Sequence, residues 1–201
     1  PVSNVAWQDA ALFCNWLSEK ENLPKFYNVL GDRVTSMNWD SNGYRLPTES
    51  EWSWVAKVTK AGSTKVFPWN SPSYPPSFVS GNYADESAKS MLPFTISNYN
   101  DSFPVSASVG SFQPNEKGIF NLSGNVAEWV NDFYEIRVNK SEPLVDYRGP
   151  NTGNRHVIRG ASWALGSRSE LRLSYREPGY DGKIDVGFRI ARYVDKPKGD
   201  L

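Results

Sequence analysis

The stretch GIFNLSGNVAEWVND, residues 118–132, places amides, glycines and a carboxylate among bulky apolar side chains. Asn121, Gly124 and Glu128 follow one another at short, regular spacing, and Trp129 comes directly after the carboxylate. Such an order suits a backbone that folds tightly around something while large side chains hold it to a core. The local sequence allows two interpretations, the start of a helix or a loop that surrounds a cation.

Composition limits the class of protein that can contain this stretch. Lys plus Arg and Asp plus Glu number 22 each in 201 residues, so no net charge attracts nucleic acid or an anionic membrane. Eight tryptophans, 15 glycines and 14 prolines indicate a loop-rich fold organised by large flat side chains. No apolar run approaches the roughly 20 residues of a membrane span. We expect one domain over residues 1–201, without membrane insertion and without a nucleic-acid partner.

Helical patterns lie upstream of the opening stretch. Residues 6–21, AWQDAALFCNWLSEKE, have apolar residues at helical spacing, and the only cysteine, Cys14, falls on the face predicted to be buried. Thr48 and Glu51 have the spacing of a capping box that opens a second helix. A third short helix is predicted from Asn125, and strands are predicted in HVIRGASW and VGFRIARY.

Residues 61–117 keep neither a helical nor a strand period for long. A compact domain that contains such a segment must hold it by means other than regular secondary structure. Aromatic anchors and bound ions are the devices that remain.

Seven motifs of this chain resemble, in order and spacing, those of the formylglycine-generating enzyme (sulfatase-modifying factor) family. They are PVSNVAWQDAALFCNWLS, YRLPTESEW, FPWN, VGSF, GIFNLSGNVAEWVND, IRGASW and VGFRIAR. The resemblance implies an α+β fold, a loop-rich variant of the C-type lectin fold with a small antiparallel sheet and two main helices. Family domains usually carry a further N-terminal segment before the first motif, and we expect this chain to lack it.

The resemblance implies that the opening stretch is a calcium site. The ligands would be the side chains of Asn121 and Glu128 and the main-chain carbonyls of Gly124 and Val126. Calcium prefers six to eight hard oxygen ligands, which a loop of this kind supplies. Without the resemblance, a helix capped by Asn125 with Glu128 as the other half of a capping box explains the same residues.

The resemblance also implies a second calcium site in the region without a regular period. Asn82 and Asp101 would contribute side-chain oxygens, and Tyr83 and Phe103 would contribute main-chain carbonyls. The alternative is an Asx-turn at each place, because Asn and Asp commonly bond their own backbone.

The chemistry of the family's enzymes is not visible in this chain. The sulfatase-activating members that it resembles follow the IRGASW motif with a pair of copper-binding cysteines, whereas residues 164–182 here contain no cysteine. The family's iron oxygenases gather several histidines, and this chain has only His156, for which we expect a structural role. We therefore interpret the chain as a pseudoenzyme. The alternative is an oxidoreductase of the formylglycine-generating or pyoverdine-maturation type with an unrecognised active site.

The remaining function is binding, as a non-catalytic, calcium-stabilised interaction module with a protein or peptide ligand. In the family that the chain resembles, the segment between IRGASW and VGFRIAR forms the recognition face. Its aromatic and charged residues are the candidate ligand contacts: Trp163, Arg168, Glu170, Tyr175, Arg176, Tyr180 and Asp181. Some of them are expected to be internal, with Trp163 in the core. The alternative is a structural role, in which Arg172 and Arg176 make buried pairs with Asp185 or Glu177.

The composition of the loops also bears on location and on alternative contact surfaces. Loop sites with few carboxylates usually bind calcium only at the levels found outside the cytosol, which favours an extracytoplasmic (periplasmic or secreted) location. If the 163–181 face is structural, residues 86–99 or the loop 136–154 are the alternative contact surfaces.

Overall fold

A computed structural model describes residues 1–69, 71–136 and 145–194 of the chain. The described elements confirm a loop-rich α+β fold with two main helices. They are α1 (Trp7–Lys20), β1 (Tyr27–Leu30), β2 (Arg33–Met37), α2 (Glu49–Lys57), a short 3-10 helix (Glu86–Ala88), β3 (Ala127–Phe133), β4 (His156–Arg159), β5 (Arg176–Gly179) and β6 (Val186–Phe188).

The strands form two sheets. β1 and β2 make an antiparallel hairpin, and the second sheet has four strands in the order β5-β4-β3-β6. β3 is antiparallel to β4 but parallel to β6, so the larger sheet is mixed, a feature that the sequence did not indicate. The strands predicted in HVIRGASW and VGFRIARY are confirmed as β4 and β6, although each is shorter than its motif.

The prediction of a third helix from Asn125 is wrong, because Ala127–Phe133 form the central strand β3. Every residue from Ala127 to Asp132 is buried, since β4 and β6 flank the strand and both of its faces are covered. A strand buried on both faces shows no alternation that would distinguish it from a buried helix. Asn125 caps no helix, because its side chain exchanges two hydrogen bonds with the backbone of Ala107, at 2.8 and 3.0 Å.

Both main helices begin where the sequence predicted. α1 buries Ala10, Ala11 and Cys14 against a core that includes Trp129 of β3. α2 opens with the predicted capping box: the Thr48 hydroxyl accepts from the Glu51 amide at 3.1 Å, and the Glu51 carboxylate accepts from the Thr48 amide at 2.8 Å. No helix in the described ranges combines the length and apolar character that a membrane crossing demands.

The region around 61–117 is held by aromatic packing, as expected. Among its described residues the only helix is the 3-10 turn Glu86–Ala88. Phe67 and Trp69 stack with ring centroids 4.8 Å apart, and Tyr83 packs edge-on against Trp69 at 6.2 Å. These rings belong to a second buried cluster that includes Tyr99 and Ala161, the latter just after β4.

Candidate calcium sites and binding face

The residues of the second predicted calcium site come together, and we call Asn82, Tyr83, Asp101 and Phe103 the Asn82–Asp101 cluster. The Asp101 carboxylate accepts from the Tyr83 amide at 3.0 Å and from the Phe103 amide at 2.9 Å. The bond from Phe103 is an Asx-turn, so that alternative is present at Asp101 in addition to the clustering. Asn82 donates its Nδ2 to the carbonyl of Val105 at 2.8 Å, and its Oδ1 is buried without a hydrogen-bond partner.

The Asp101 carboxylate is electrostatically unbalanced. Burial, together with the nearby negative charge of Asp85, raises its pKa to about 7 despite the two backbone bonds. No salt bridge to Asp101 occurs among the described residues. Sequence reasoning missed Asp85. Its carboxylate accepts a hydrogen bond from the Asp101 amide and caps the 3-10 helix. Its position before Glu-Ser, within GNYADES, was the available signal.

The first predicted site, Asn121, Gly124, Val126 and Glu128, is called the Asn121–Glu128 loop. Gly124 has φ +82°, and a Cβ at this position would lie 2.6 Å from the carbonyl oxygen of Asn82. Glycine is therefore required both for the left-handed backbone and for the close approach of the other cluster. Asn121 also has a positive φ, 52°, and its Oδ1 is buried without a partner.

Glu128, by contrast, already has a cationic partner. Arg189 donates to both oxygens of this carboxylate, at 2.6 and 2.5 Å, and Trp52 donates its indole N–H at 2.7 Å. Three of the roughly four lone-pair positions of the carboxylate are thus used. Arg189 lies in the VGFRIAR motif, 61 residues from Glu128, and sequence spacing gave no sign of the pairing.

The two candidate sites are neighbours. The Asn125 amide donates to the Asn82 carbonyl at 2.8 Å, and both Asn82 and Asn121 line a cavity of about 70 Å³. Unpartnered amide oxygens beside an unpaired carboxylate are hard-oxygen donors of the kind that calcium takes. No group of three His, Cys, Asp or Glu side chains suited to a metal occurs in the described part of the chain. A bound calcium would therefore have few carboxylate ligands and would need amide and main-chain oxygens to complete its coordination.

The predicted ligand residues divide into three classes of exposure. Arg168, Tyr180 and Asp181 are exposed, and Tyr180 presents 69% of its surface. Glu170, Tyr175 and Arg176 are partly buried. Trp163 is buried, so it is not an exposed ligand contact, and the alternative position in the core is the one that the structure gives.

Two of the partly buried residues have internal partners. Arg176 forms a double ion pair with Glu49 at 2.8 and 2.6 Å, so the alternative is right that Arg176 is paired internally but wrong about its partner. The partner comes from α2, 127 residues away in the sequence. Arg172 is exposed and donates its Nε to the carbonyl of Ser169 at 3.4 Å. Glu170 accepts from the Ser167 amide at 2.9 Å in a local turn. Among the seven candidates the exposed residues are therefore Arg168, Tyr180 and Asp181, and Arg172 of the same segment is exposed as well. Of the alternative loop 136–154, residues 137–144 lie outside the described ranges.

The single cysteine and the single histidine are both internal. Cys14 is fully buried, and burial raises the pKa of its thiol to about 12. The His156 ring stacks on Trp7 with centroids 3.6 Å apart, and its Nδ1 lies 3.1 Å from the carbonyl oxygen of Asn131. Burial lowers the pKa of His156 to about 4, so the ring is neutral and structural near neutral pH.

Residues 1–194 match the sequence model of the protein family described as the sulfatase-modifying factor enzyme 1-like domain. The formylglycine-generating enzyme of Streptomyces coelicolor is 28% identical over 99% of this chain and 54% of its own length. Chaperone protein LppX of Paenibacillus barcinonensis is 32% identical over 96% of this chain and 69% of its own length. The inactive C-alpha-formylglycine-generating enzyme 2 of Mus musculus is 26% identical, with 100% and 52% covered. The chain thus spans about half the length of several relatives.

Solved structures share the fold. Treponema denticola variable protein 1 superposes with a TM-score of 0.76 and 27% identity, covering 98% of this chain and 71% of that one. PvdO from Pseudomonas aeruginosa gives a TM-score of 0.68 at 24% identity, covering 96% and 62%, and supports the fold alone.

Proposed function

The chain belongs to the sulfatase-modifying factor enzyme 1-like domain family, and we propose that it is a non-catalytic, calcium-stabilised binding module for a protein or peptide. The observation that carries the non-catalytic part is the position of Cys14. The only thiol of the chain is in the core, with a pKa raised to about 12, where it neither ionises near neutral pH nor meets a substrate. Residues 164–182 contain no second sulfur.

Two relatives support this interpretation through their names. One is called inactive, and the other is called a chaperone, a word for proteins that act on other proteins. The proposed contact surface consists of Arg168, Tyr180 and Asp181, because Arg and Tyr contribute much of the binding energy at protein interfaces.

Calcium would be held first by the Asn82–Asp101 cluster. Asn82 Oδ1 and the Asp101 carboxylate would be the side-chain ligands, and the carbonyls of Tyr83 and Phe103 would complete the set. The Asn121–Glu128 loop would bind more weakly, because Arg189 already neutralises its carboxylate. Sites of this donor type suit calcium at extracytoplasmic concentrations, so we place the protein in the periplasm or outside the cell.

Metal-dependent melting tests the calcium part. Addition of millimolar calcium to chelator-treated protein should raise the melting temperature, since a ligand that binds only the folded state stabilises it. Magnesium at the same concentration is the control for ionic strength. A melting temperature that is the same in chelator and in calcium would refute calcium stabilisation and leave the ligand face untouched.

Selection from a random peptide library tests the ligand part. Peptides that bind the wild-type protein should lose most of their affinity for Arg168→Ala and Tyr180→Ala, while Leu30→Ala, on an exposed hairpin position, should bind normally. Peptides that bind all variants equally would place the contact surface elsewhere.

A second candidate is an oxidoreductase of the formylglycine-generating or pyoverdine-maturation type. The identity of 28% to the Streptomyces coelicolor enzyme favours it. Metal analysis of the purified chain separates the two candidates. Calcium alone supports the binding module, whereas stoichiometric copper or iron supports the oxidoreductase.

A further inference from the structure

A second polar cavity lies apart from the calcium candidates, where α2 faces β4 and β5. Its volume is about 250 Å³. Lys57 of α2, Arg159 of β4 and Arg176 of β5 supply positive charge to its wall, and Ser53 of α2 and Tyr147 supply hydroxyl groups. We call it the α2 cavity. It is smaller than the pockets that hold drug-sized molecules and matches a small metabolite.

The positive charges of the α2 cavity exceed its negative ones. The described lining contains three cationic side chains and two carboxylates, Glu49 and Glu135. Glu49 forms its close ion pair with Arg176, and the Arg159 guanidinium lies 3.6 Å from the same carboxylate. One carboxylate is therefore shared by two guanidinium groups, and among the described lining residues the cationic side chains outnumber the carboxylates by one.

Arg159 is held mainly by neutral acceptors. It is 2% exposed and donates to the carbonyls of Leu173 at 2.8 Å and Tyr175 at 2.6 Å. Its Nε is buried without a hydrogen-bond partner. A buried guanidinium that is balanced chiefly by carbonyl groups keeps most of its electrostatic need for an anion.

Lys57 is the third cation, at the C-terminal end of α2 and partly buried. No hydrogen bond or ion pair from its ammonium group to the described residues occurs. Burial, and then the positive charge of Arg159, lower the pKa of Lys57. An ammonium group on a cavity wall beside two guanidinium groups is thus available to a ligand.

We propose that the α2 cavity binds a small organic monocarboxylate, whose carboxylate forms an ion pair with Lys57 and is attracted by the nearby charge of Arg159. The excess of one positive charge matches a monoanion, whereas a dianion such as phosphate would leave a partly buried negative charge. Ser53 accepts from Arg159 at 3.0 Å and keeps its own proton to donate. Phe133 and Gly149 provide apolar wall for a short carbon chain.

Calorimetric titration with sodium acetate, glycolate and inorganic phosphate at constant ionic strength tests this site. The two carboxylates should bind saturably, with phosphate weaker. Lys57→Met should lose about tenfold or more in affinity, since hydrogen bonds to charged groups contribute about 1.5–3 kcal/mol. Lys60→Met is the matched control, because Lys60 is exposed nearby in the sequence and outside the cavity lining.

A second readout separates binding from a structural effect. Bound carboxylate should raise the pKa of Lys57, measured from the pH dependence of its Cε NMR signal, while the Cε signal of Lys60 should not respond to the carboxylate. If Lys57→Met does not fold, Lys57→Gln serves in its place. Equal affinity of the Lys57 variant and the wild type, tighter binding of phosphate, or heats matched by sodium chloride would each overturn the proposal. The outcome is independent of the calcium and peptide experiments.

Discussion

Glu128 and Asp101 are two buried carboxylates with opposite surroundings. Each is 5% exposed, and each belongs to a predicted set of calcium ligands. Arg189 and Trp52 together donate three hydrogen bonds to Glu128, and Arg189 supplies a full positive charge. Asp101 receives two backbone amides and has a second carboxylate, Asp85, beside it. One carboxylate has its cation in the protein, and the other has none among the described residues.

The presence of a counter-ion at Glu128 but not at Asp101 indicates that the two regions stabilise the fold in different ways. A carboxylate paired with a buried arginine stabilises the structure in any buffer, whereas a carboxylate without such a partner favours either protonation or an external cation. We therefore expect calcium-independent stability from the Asn121–Glu128 loop and calcium-dependent stability from the Asn82–Asp101 cluster.

The largest expected effect comes from Glu128→Gln. The substitution leaves Arg189 with an uncompensated, largely buried charge, and removal of one partner of a buried pair costs about 3–5 kcal/mol. Urea denaturation should show this loss with and without calcium.

Glu177→Gln is the matched control for that experiment. Its partner Lys183 is 41% exposed in its side chain, and exposed pairs contribute only about 0–1 kcal/mol. If both variants lose the same small free energy of unfolding, Arg189 does not act as an internal counter-ion that stabilises Glu128.

The second effect is specific to calcium and comes from Asp101→Asn. Calcium at one hundred times its dissociation constant should stabilise the wild-type protein by about 2.7 kcal/mol. The variant should lose nearly all of that increment, because the carboxylate is gone. In chelator at about pH 5, where the carboxyl of Asp101 is protonated in the fold, the variant should lose only about 1 kcal/mol, through one weakened backbone bond. A variant that keeps the full calcium increment would move the metal to another site.

The pairing of Glu128 shows which part of the site the sequence could not predict. Both predicted calcium ligand sets come from motif resemblance, and hydrogen bonds join Asp101 to Tyr83 and Phe103 in the second of them. The partners that decide their electrostatics lie far away in the sequence: Arg189 is 61 residues from Glu128, and Glu49 is 127 residues from Arg176. Contacts of this kind depend on the sheet order, which local patterns do not determine.

The same limit applies to the fold. α1 and α2 were predictable because their apolar spacing and the Thr48 capping box are local signals. β3 was not predictable, since a strand buried on both faces has no alternation. Its identity follows only from β4 and β6 on either side.

A pH titration of stability gives the third effect. The pKa of Asp101 is raised from 3.8 to about 7 in the folded state, so the fold binds more protons than the unfolded chain between these values. In chelator the contribution of this group is therefore most favourable at low pH and is lost as the pH rises through about 7. The calcium increment should grow over the same range, because protons compete with calcium for the carboxylate.

The measurement is the difference between wild type and Asp101→Asn at each pH. The contribution of Asp132 to stability also decreases as the pH rises, since burial raises the pKa of Asp132 to about 7 as well. The contribution of His156 to stability changes in the opposite direction and increases with pH up to about 6.5, because burial lowers the pKa of His156 to about 4. Both groups are common to the two proteins and cancel in the difference. A difference that does not change with pH would mean that Asp101 is already balanced in the fold.

The smallest effect on stability is expected from Tyr180→Ala, which tests whether recognition is separate from both carboxylates. Tyr180 is 69% exposed and follows β5, and surface substitutions of this kind usually change stability by less than about 0.5 kcal/mol. Melting temperature and calcium increment should therefore match the wild type, while peptides selected on the wild type lose affinity. A loss near the 3–5 kcal/mol of a core aromatic substitution would show that Tyr180 holds the frame. A smaller calcium increment in Tyr180→Ala would show that the proposed peptide-binding face is energetically coupled to the Asn82–Asp101 cluster. Recognition and calcium binding would then not be separate.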